Sequence, residues 1–396
     1  MSDIIKNTKR HRFHYLDGLR GLASLAVCLW HNFLAFFPGA VMSSAPQVDG
    51  FLTRGIYRSP LSIFFAGDFS VYIFFALSGF VISFKFFKEG DLEVLKKAFF
   101  RRYVRLMPPA LVTVLASYVL LKFGWMFNRQ AGAIADSWWL NLNWSAVHAG
   151  LADALHYGLY GLWFVGRPPQ ASYNSNLGTL LVEILGSYVV YLTIFISLAG
   201  GLALRWRYPL HGFLIVLAFA LFPGDPVYCV FFIGMALADL YQNTPEFYTR
   251  LRRFGIPLMI LGVFLGGMNI GNITMGPYRV VAHVCRALAL HPLSYPWALG
   301  AVSLVLGVIL VPKAQRLLEK RFFQILGEYS FALYVTHTVL LGSLTCYLFQ
   351  RFSAVSTLGY GERVFLSFML ALPVLLLATH LVKKVDDLAI SLARRI

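Results

Sequence analysis

The sequence predicts an all-α integral membrane protein, a helical bundle of about ten transmembrane helices with both termini in the cytosol. Of the 396 residues, 58% are hydrophobic and only 13% are charged, whereas about a quarter of the residues in soluble domains are charged. The apolar residues form runs of about 20, the length that crosses a bilayer as a helix. Lys and Arg gather in alternate connections between those runs, which is typical of cytosolic loops.

The apolar runs set the expected number of helices. There are ten of them, at about 16–37, 62–84, 106–123, 178–200, 208–222, 225–241, 255–271, 296–311, 329–349 and 363–383. Several are short or interrupted by Gly and Pro. The first run is long and has no small-residue cleavage site, which argues against a cleavable signal peptide. We therefore expect a multi-pass protein of an endomembrane or the plasma membrane, with the lipid bilayer as its constant partner.

The loop charges set the orientation of the helices. Ten spans assign 24 of the 34 Lys and Arg residues to the side of both termini and 9 to the other side, with Arg20 inside the first helix. Because basic loops stay in the cytosol, both termini are predicted there. The net charge of +16 then reflects membrane orientation. We expect no nucleic-acid partner, since no recognisable nucleic-acid module accompanies the basic residues.

We divide the chain into three parts. Residues 1–14 are predicted to be a flexible, basic cytosolic tail, residues 15–385 a transmembrane domain, and residues 386–396 a second cytosolic tail. The four cysteines have neither disulfide nor metal spacing. No internal repeat of fixed period is visible, which weakens the case for a transporter built from inverted repeats.

The longest connection, 124–177, is predicted to lie on the non-cytosolic side. It contains the apolar stretch AVHAGLADALHYGLYGLWFVG, in which His148, Asp153 and His156 would be costly in hydrocarbon. We predict an interfacial or re-entrant helix here, because a true span would invert every later loop. Two glycosylation tripeptides, beginning at Asn143 and Asn272, also fall in predicted outer loops.

The first helix, YLDGLRGLASLAVCLWH, carries an arginine near its start and a histidine at its end. Arg20 and His31 are eleven residues apart, which places them on one helix face and about 16 Å apart along the axis. Polar groups within a span usually face a cavity or a partner. The alternative is that Arg20 lies at the membrane interface and His31 bonds to a neighbouring helix.

Other polar residues within the apolar runs strengthen the prediction of a lined cavity. They are Asp68, Glu183, Asp239, His337 and His380. Asp239 and His380 lie close enough to the ends of their runs to be solvated. Glu183 is harder to explain in this way, because apolar residues flank it on both sides in LLVEILG.

A basic segment, FFRRYVRLMPP, precedes the third apolar run on the cytosolic side. Arg102 and Arg105 point the same way from a helix at this spacing, with Arg101 beside them, and such a pair can clamp phosphate groups. The alternative is an anchor on anionic lipid headgroups.

Taken together, these segments resemble the acyltransferase 3 family of multi-pass membrane acyltransferases, and its fungal members in particular. The matching stretches, in the family's order, are LDGLRGL followed by His31, FFALSGFVIS at 74–83, FRRYVRLMPP at 100–109, LLVEILGS at 180–187, FFIGMALADL at 231–240 and LGEYSFALYVTH at 326–337. The resemblance implies transfer of an acyl group, often acetyl, from cytosolic acyl-CoA to a hydroxyl of a carbohydrate, lipid or small metabolite. It implies no permanently bound cofactor and no metal.

The resemblance also assigns the candidate site residues. His31 matches the catalytic histidine, Arg20 its essential arginine and Glu183 the family's glutamate in the fourth helix. Arg102 and Arg105, with Arg101, match the arginines that would bind the donor. We assign Ser78, Asp68, Tyr72 and His337 to the substrate pocket. Tyr72 stands where many bacterial members have an acid, and Asp68, one turn earlier, is a candidate substitute.

The residues permit a general-base mechanism. Neutral imidazole at His31 can act as the base for an alcohol near neutral pH, and Glu183 can orient that imidazole. The donor's pantetheine arm would follow the Arg20 face of the first helix toward His31. An acyl-histidine intermediate is a second route. A transporter or permease with a polar substrate path, and a non-catalytic scaffold, are the alternative functions. The acceptor and the oligomeric state stay open.

Overall fold

The computed structural model describes residues 13–38, 55–89 and 91–396. Every regular element of these residues is helical. The helices are α1 (His14–Phe36), α2 (Gly67–Glu89), α3 (Leu92–Lys122), α4 (Asn128–Ala135), α5 (Trp138–Leu142), α6 (Leu151–His156), α7 (Leu162–Phe164), α8 (Gly178–Ala199), α9 (Leu204–Leu221), α10 (Val227–Asn243), α11 (Pro245–Leu251), α12 (Gly255–Gly266), α13 (Gly276–Ala287), α14 (Ser294–Leu310), α15 (Pro312–Leu318), α16 (Arg321–Leu340), α17 (Cys346–Ser353) and α18 (Tyr360–Arg395). The predicted all-α membrane bundle is confirmed.

Each of the ten predicted apolar runs coincides with a helix, but the described residues give fewer helices of spanning length. Six segments are long and apolar enough to span: His14–Phe36, Gly67–Phe87, Leu92–Lys122, Ser175–Ala199, Arg321–Ser353 and Tyr360–Arg395. A seventh is obtained if α14 and α15, which meet at a bend of 97°, form one broken span. Helices α10 and α12 have 17 and 12 residues, short of the ~20 that a span requires. The number ten therefore stays a prediction.

The predicted tails are only partly described. All but the last two residues of the 1–14 tail lie outside the described residues, and His14 already begins α1. At the other end, α18 continues to Arg395, so residues 386–395 extend the last helix.

Close helix contacts at glycines hold the centre of the bundle together. Helix α1 packs on α16 where Gly21 faces the backbone of Leu326 and Gly327. Helix α2 packs on α10 where Gly79 faces the carbonyl of Phe231. A methyl group at Gly21 or Gly79 would collide with backbone atoms, which is typical of the small residues that bring membrane helices together. These contacts place His31 beside α16 and leave the side chain of Ser78 facing the bundle interior.

Helices α6 and α7 are joined by a π-turn, Tyr157–Gly161, and lie along α3. Gly158 packs against Leu111, while the Tyr103 hydroxyl donates to the Leu159 carbonyl at 2.6 Å. The segment is thus held against α3. Whether it is an interfacial or a re-entrant helix stays a prediction.

Both glycosylation tripeptides lie in folded structure. Asn143 is 1% exposed and Asn272 is fully buried. The Asn143 amide donates to the Trp139 carbonyl at 2.7 Å, and the Asn272 amide donates to the Gly267 carbonyl at 2.8 Å. A glycan cannot be attached to either side chain in the folded protein, so these tripeptides give no support to the predicted sidedness.

Candidate active site

His31 of α1 and His337 of α16 form a hydrogen-bonded pair. The Nδ1 atom of His31 lies 3.1 Å from Nε2 of His337, and the ring centroids are 5.0 Å apart. Each ring also faces a carbonyl of its own helix. Nδ1 of His31 is 3.0 Å from the Val27 oxygen, and Nδ1 of His337 is 2.9 Å from the Leu333 oxygen.

These contacts assign the protons of the pair. A carbonyl oxygen only accepts, so the Nδ1–H of His337 donates to Leu333 and its Nε2 accepts in the neutral ring. The hydrogen on Nδ1 of His31 is then directed at His337 and Val27. Nε2 of His31 carries a free lone pair in this tautomer, and it forms no hydrogen bond with any described residue. The pair therefore presents a base at His31.

The two rings differ in their access to solvent. His337 is 1% exposed, whereas His31 is partly exposed. Trp139, from the long connection between α3 and α8, lies with its ring centroid 5.5 Å from that of His31. His31 is thus the accessible member of the pair, and His337 lies behind it.

Three predicted residues from three helices meet at a second location. Arg102 of α3 forms an ion pair with Glu183 of α8. The Ser78 hydroxyl of α2 donates to the same carboxylate oxygen at 2.5 Å. The side chains of Arg102 and Glu183 are 10% and 12% exposed. The hydrogen bonds of Glu183 in the described residues go to Arg102 and Ser78, so the predicted bond from Glu183 to His31 is not formed.

Arg20 and Arg105 lie near Arg102, and we call these three residues the arginine cluster. Arg20 forms an ion pair with Asp17 at 3.0 Å. Arg105 is exposed, although protein surrounds it. Arg20, Arg102 and Asp386 are the charged groups that interact with it electrostatically. Arg101 is half-buried and forms no ion pair with a described residue.

The predicted donor path along α1 is closed. Ser24 and Val27, which lie between Arg20 and His31 on that helix face, are 0% and 1% exposed. The Ser24 hydroxyl donates to the Ser330 carbonyl at 2.7 Å. The prediction of a channel there was wrong because Gly21 and Ser24 are small enough to bring α16 into contact with this face. The side chains of the arginine cluster and Ser78 are more exposed than Ser24 and Val27 on this face.

Asp68 and Tyr72 lie away from the other residues assigned to the substrate pocket. Ser78 follows Asp68 by ten residues, which is about 15 Å along α2. The Tyr72 hydroxyl donates to Asp225 at 2.6 Å. Asp68 lines a separate cavity of about 190 Å³. The four residues therefore do not share one pocket: Ser78 joins Glu183, and His337 joins His31.

Asp239 is not solvated as the sequence suggested. It is fully buried, and it accepts hydrogen bonds from Arg207 at 2.7 Å and from Asn243 at 2.6 Å. His380 is exposed and bonds to the Tyr329 hydroxyl at 3.0 Å. Neither residue joins the histidine pair or the arginine cluster.

The comparison with protein families decides the identity of the fold and its chemistry. A family model described as an acyltransferase domain matches residues 13–382. The chain belongs to the acyltransferase 3 family. As a member of that family, it is a multi-pass membrane acyltransferase, and the match favours the enzyme over the transporter and scaffold alternatives.

Two fungal relatives of this acyltransferase 3 protein match most of its length. It is 26% identical over 418 residues to the O-acetyltransferase PaAT-1 of Phomopsis amygdali, with 94% of this chain and 80% of the relative covered. It is 22% identical over 419 residues to acyltransferase R4 of a Phoma species, with 88% and 86% covered. No solved structure matches the chain.

Residues outside the acyltransferase 3 motifs contact the assigned residues or lie beside them, and the sequence did not indicate them. Asp225 supplies an acid to Tyr72 from the turn before α10, and Trp139 approaches His31 from the outer connection. Asn32, next to His31, has a buried side-chain oxygen without a partner in the described residues. Local spacing could not find the contacts of Asp225 and Trp139, because each joins segments far apart in the chain.

Proposed function

We propose that this acyltransferase moves an acyl group, with acetyl as the expected case, from cytosolic acyl-CoA to a hydroxyl of its acceptor, using His31 as the general base. The observation that carries the proposal is the partly exposed His31 ring, whose Nδ1 atom is held by the buried His337. The names of the two relatives, an O-acetyltransferase and an acyltransferase, support an acyl transfer to oxygen.

The histidine pair suits this reaction. An alcohol is a weak nucleophile until a base removes its proton, and Nε2 of His31 can accept that proton. The alcohol oxygen then attacks the thioester carbonyl carbon, the carbon–sulfur bond breaks, and the CoA thiolate takes the proton back from the imidazolium. His337 accepts from Nδ1–H of His31 throughout, which fixes the tautomer and stabilises the charged ring. His337 thus takes the orienting role that the sequence assigned to Glu183.

The arginine cluster suits the donor. Acyl-CoA carries several phosphate charges, and guanidinium groups bind phosphates with two parallel hydrogen bonds. Glu183 and Ser78 hold Arg102 in one position, which lowers the entropy lost on binding. Arg105 is accessible for direct contact. In this proposal the donor enters beside α3 and α8, because the face of α1 between Arg20 and His31 is packed.

Acetyl transfer in membranes that carry His31→Ala tests the proposal. We expect activity to fall by at least about 100-fold, which is typical for loss of a general base. The matched control is His380→Ala, a second membrane histidine that is exposed and lies outside the pair. Size-exclusion chromatography of the solubilised protein confirms folding. Activity of the His31 variant equal to that of the control would refute the role of His31.

A further inference from the structure

The cavity that Asp68 lines opens between the second half of α1 and the start of α2. It has a volume of about 190 Å³, and aromatic side chains form much of its wall: Trp30, Tyr57, Phe65 and Trp297. The Trp30 ring stacks on Tyr57 at 6.1 Å with 12° between their planes. Trp30 directly precedes His31, so the wall of this cavity and the proposed base belong to the same helical turn.

Three polar side chains of the wall already form hydrogen bonds within the protein. The Ser62 hydroxyl donates to the Gly267 carbonyl at 2.5 Å, and the Trp297 ring N–H donates to the Met268 carbonyl at 2.7 Å. The Asn269 amide donates to the Tyr57 carbonyl at 2.9 Å, while its oxygen accepts from the Gly271 N–H at 2.8 Å. These groups shape the cavity, but they have little hydrogen-bonding capacity left for a ligand.

Asp68 is the one charged side chain among the described residues of the wall. Its side chain lines the cavity and is exposed there although protein surrounds it. It forms no hydrogen bond or ion pair with a described residue. A carboxylate in such surroundings is costly unless a donor pairs with it. The cavity therefore offers apolar walls and one strong hydrogen-bond acceptor to whatever enters it.

We propose that this cavity binds the acyl acceptor, and that the acceptor is a small, largely apolar, neutral alcohol with a hydroxyl that donates to Asp68. The volume is below the roughly 300–1,000 Å³ of pockets that enclose a drug-sized ligand, so one end of the acceptor occupies it. Aromatic walls select an apolar body, and a wall with one charged group selects few hydroxyls, which argues against a long glycan. This inference rests on the proposed O-acyl transfer at His31.

The position of the cavity fits that role. Trp30 and His31 are consecutive residues of α1, so the wall of the cavity and the proposed base lie at the same level of the helix, on faces about 100° apart. An acceptor held against Trp30 would reach the histidine by extending around α1. A second hydroxyl of the same molecule can then react while the first is bound by Asp68.

Radiolabelled acetyl-CoA and the purified full-length enzyme provide the test, with three probe acceptors: cyclohexane-1,4-diol, methyl glucoside and choline. The diol represents a neutral apolar alcohol, the glucoside a polar sugar and choline a cation. Asp68→Asn is compared with Asp136→Asn, a matched control on an exposed residue whose left-handed backbone, with φ of 49°, accepts asparagine. Gly67→Ala is the second variant, because its methyl group would displace the Trp30 ring.

We expect the diol to be acetylated in preference to the other probes. Asp68→Asn should raise KM for the diol roughly tenfold, the loss expected for one hydrogen bond to a charged group, with kcat little changed. Gly67→Ala should raise the same KM, and Asp136→Asn should not. Size-exclusion chromatography of the solubilised variants reports folding, and Asp136→Asn should hydrolyse acetyl-CoA without acceptor at the wild-type rate.

Three results would overturn this inference: no acetylation of the diol, a preference for choline or the glucoside, or an unchanged KM in both cavity variants. Failure of the underlying function is recognised separately. If His31→Ala retains full acetylation of the diol while Asp68→Asn raises its KM, the cavity binds the acceptor but the proposed base is wrong.

Discussion

The arginine cluster and the histidine pair hold their polar groups in different ways. Arg102 is neutralised by Glu183, a full negative charge from another helix. His31 and His337 have no carboxylate partner among the described residues; they bond to each other and to the carbonyls of Val27 and Leu333. A paired cation keeps its charge in the bundle interior, whereas a ring held by neutral acceptors is free to gain and lose a proton. The first arrangement suits binding of an anionic donor and the second suits proton transfer.

The largest effect should come from breaking the arginine cluster. Arg102→Met would leave Glu183 buried without its partner, and breaking a buried ion pair costs about 3–5 kcal/mol. We expect a large rise in KM for acetyl-CoA together with a lower melting temperature. Arg250→Met, on an exposed arginine, is the control. An unchanged KM for acetyl-CoA in the Arg102 variant would show that this cluster does not bind the donor.

Breaking the histidine pair should lower kcat. His337→Ala removes one of the two acceptors for Nδ1–H of His31 and leaves only the Val27 carbonyl. The ring is then held less firmly and its charged form is less stabilised, so we expect kcat to fall roughly 10- to 100-fold. KM for both substrates should change little. His337→Gln, whose side-chain oxygen can accept the same hydrogen, should recover part of the loss. If glutamine restores nothing, or if KM changes and kcat does not, His337 does not position His31.

A change to the contact between α2 and α10 should lower the stability of the protein more than its activity. In Gly79→Ala, the new methyl group would press on the Phe231 carbonyl of α10, and overpacking costs about 1–3 kcal/mol. Gly178→Ala is the control, because a methyl group there meets nothing within 4 Å. Thermal unfolding in detergent measures both. Equal melting temperatures would show that α2 and α10 can separate without loss of stability.

The smallest effect should come from the outer connection. The hydrogen bonds from Arg167 hold the pKa of Asp153 below its ordinary value. Asp153 therefore stabilises the folded state above the unfolded pKa of about 4, and this contribution is lost as the pH falls through the folded pKa. Because the carboxylate is 43% exposed, we expect Asp153→Asn to cost at most about 1 kcal/mol at pH 7.

That pH dependence can be checked directly. Melting temperatures of wild type and the Asp153 variant should differ at pH 7 and converge below pH 3. A difference that persists at low pH would mean that the ion pair is not its cause.

The sequence predicted the helices better than it predicted the contacts between them. Each of the ten apolar runs coincides with a helix, and spacing placed Arg20 and His31 on one face. The same spacing could not show that Gly21 and Ser24 let α16 close that face. Motif order assigned Arg102, Glu183 and Ser78 to the site, but their meeting depends on how three helices cross.

Local patterns also could not report burial. The tripeptides at Asn143 and Asn272 fit the glycosylation pattern, yet both side chains are buried in tight turns of the outer segments. The aromatic cavity around Asp68 is built from residues as distant as Trp30 and Trp297. Asp68 stood out as a charge in an apolar run, whereas its walls carried no signal, because tryptophan is ordinary in membrane helices.

The π-turn at Tyr157–Gly161 contributes to the way this segment is attached to α3. Its wider winding releases two backbone oxygens from the helix: the Gly158 carbonyl accepts from the Trp163 ring N–H at 2.8 Å, and the Leu159 carbonyl accepts from Tyr103. In hydrocarbon no water competes for such bonds. The Tyr103 bond thereby ties the turn to α3, while the Trp163 bond closes the turn on itself.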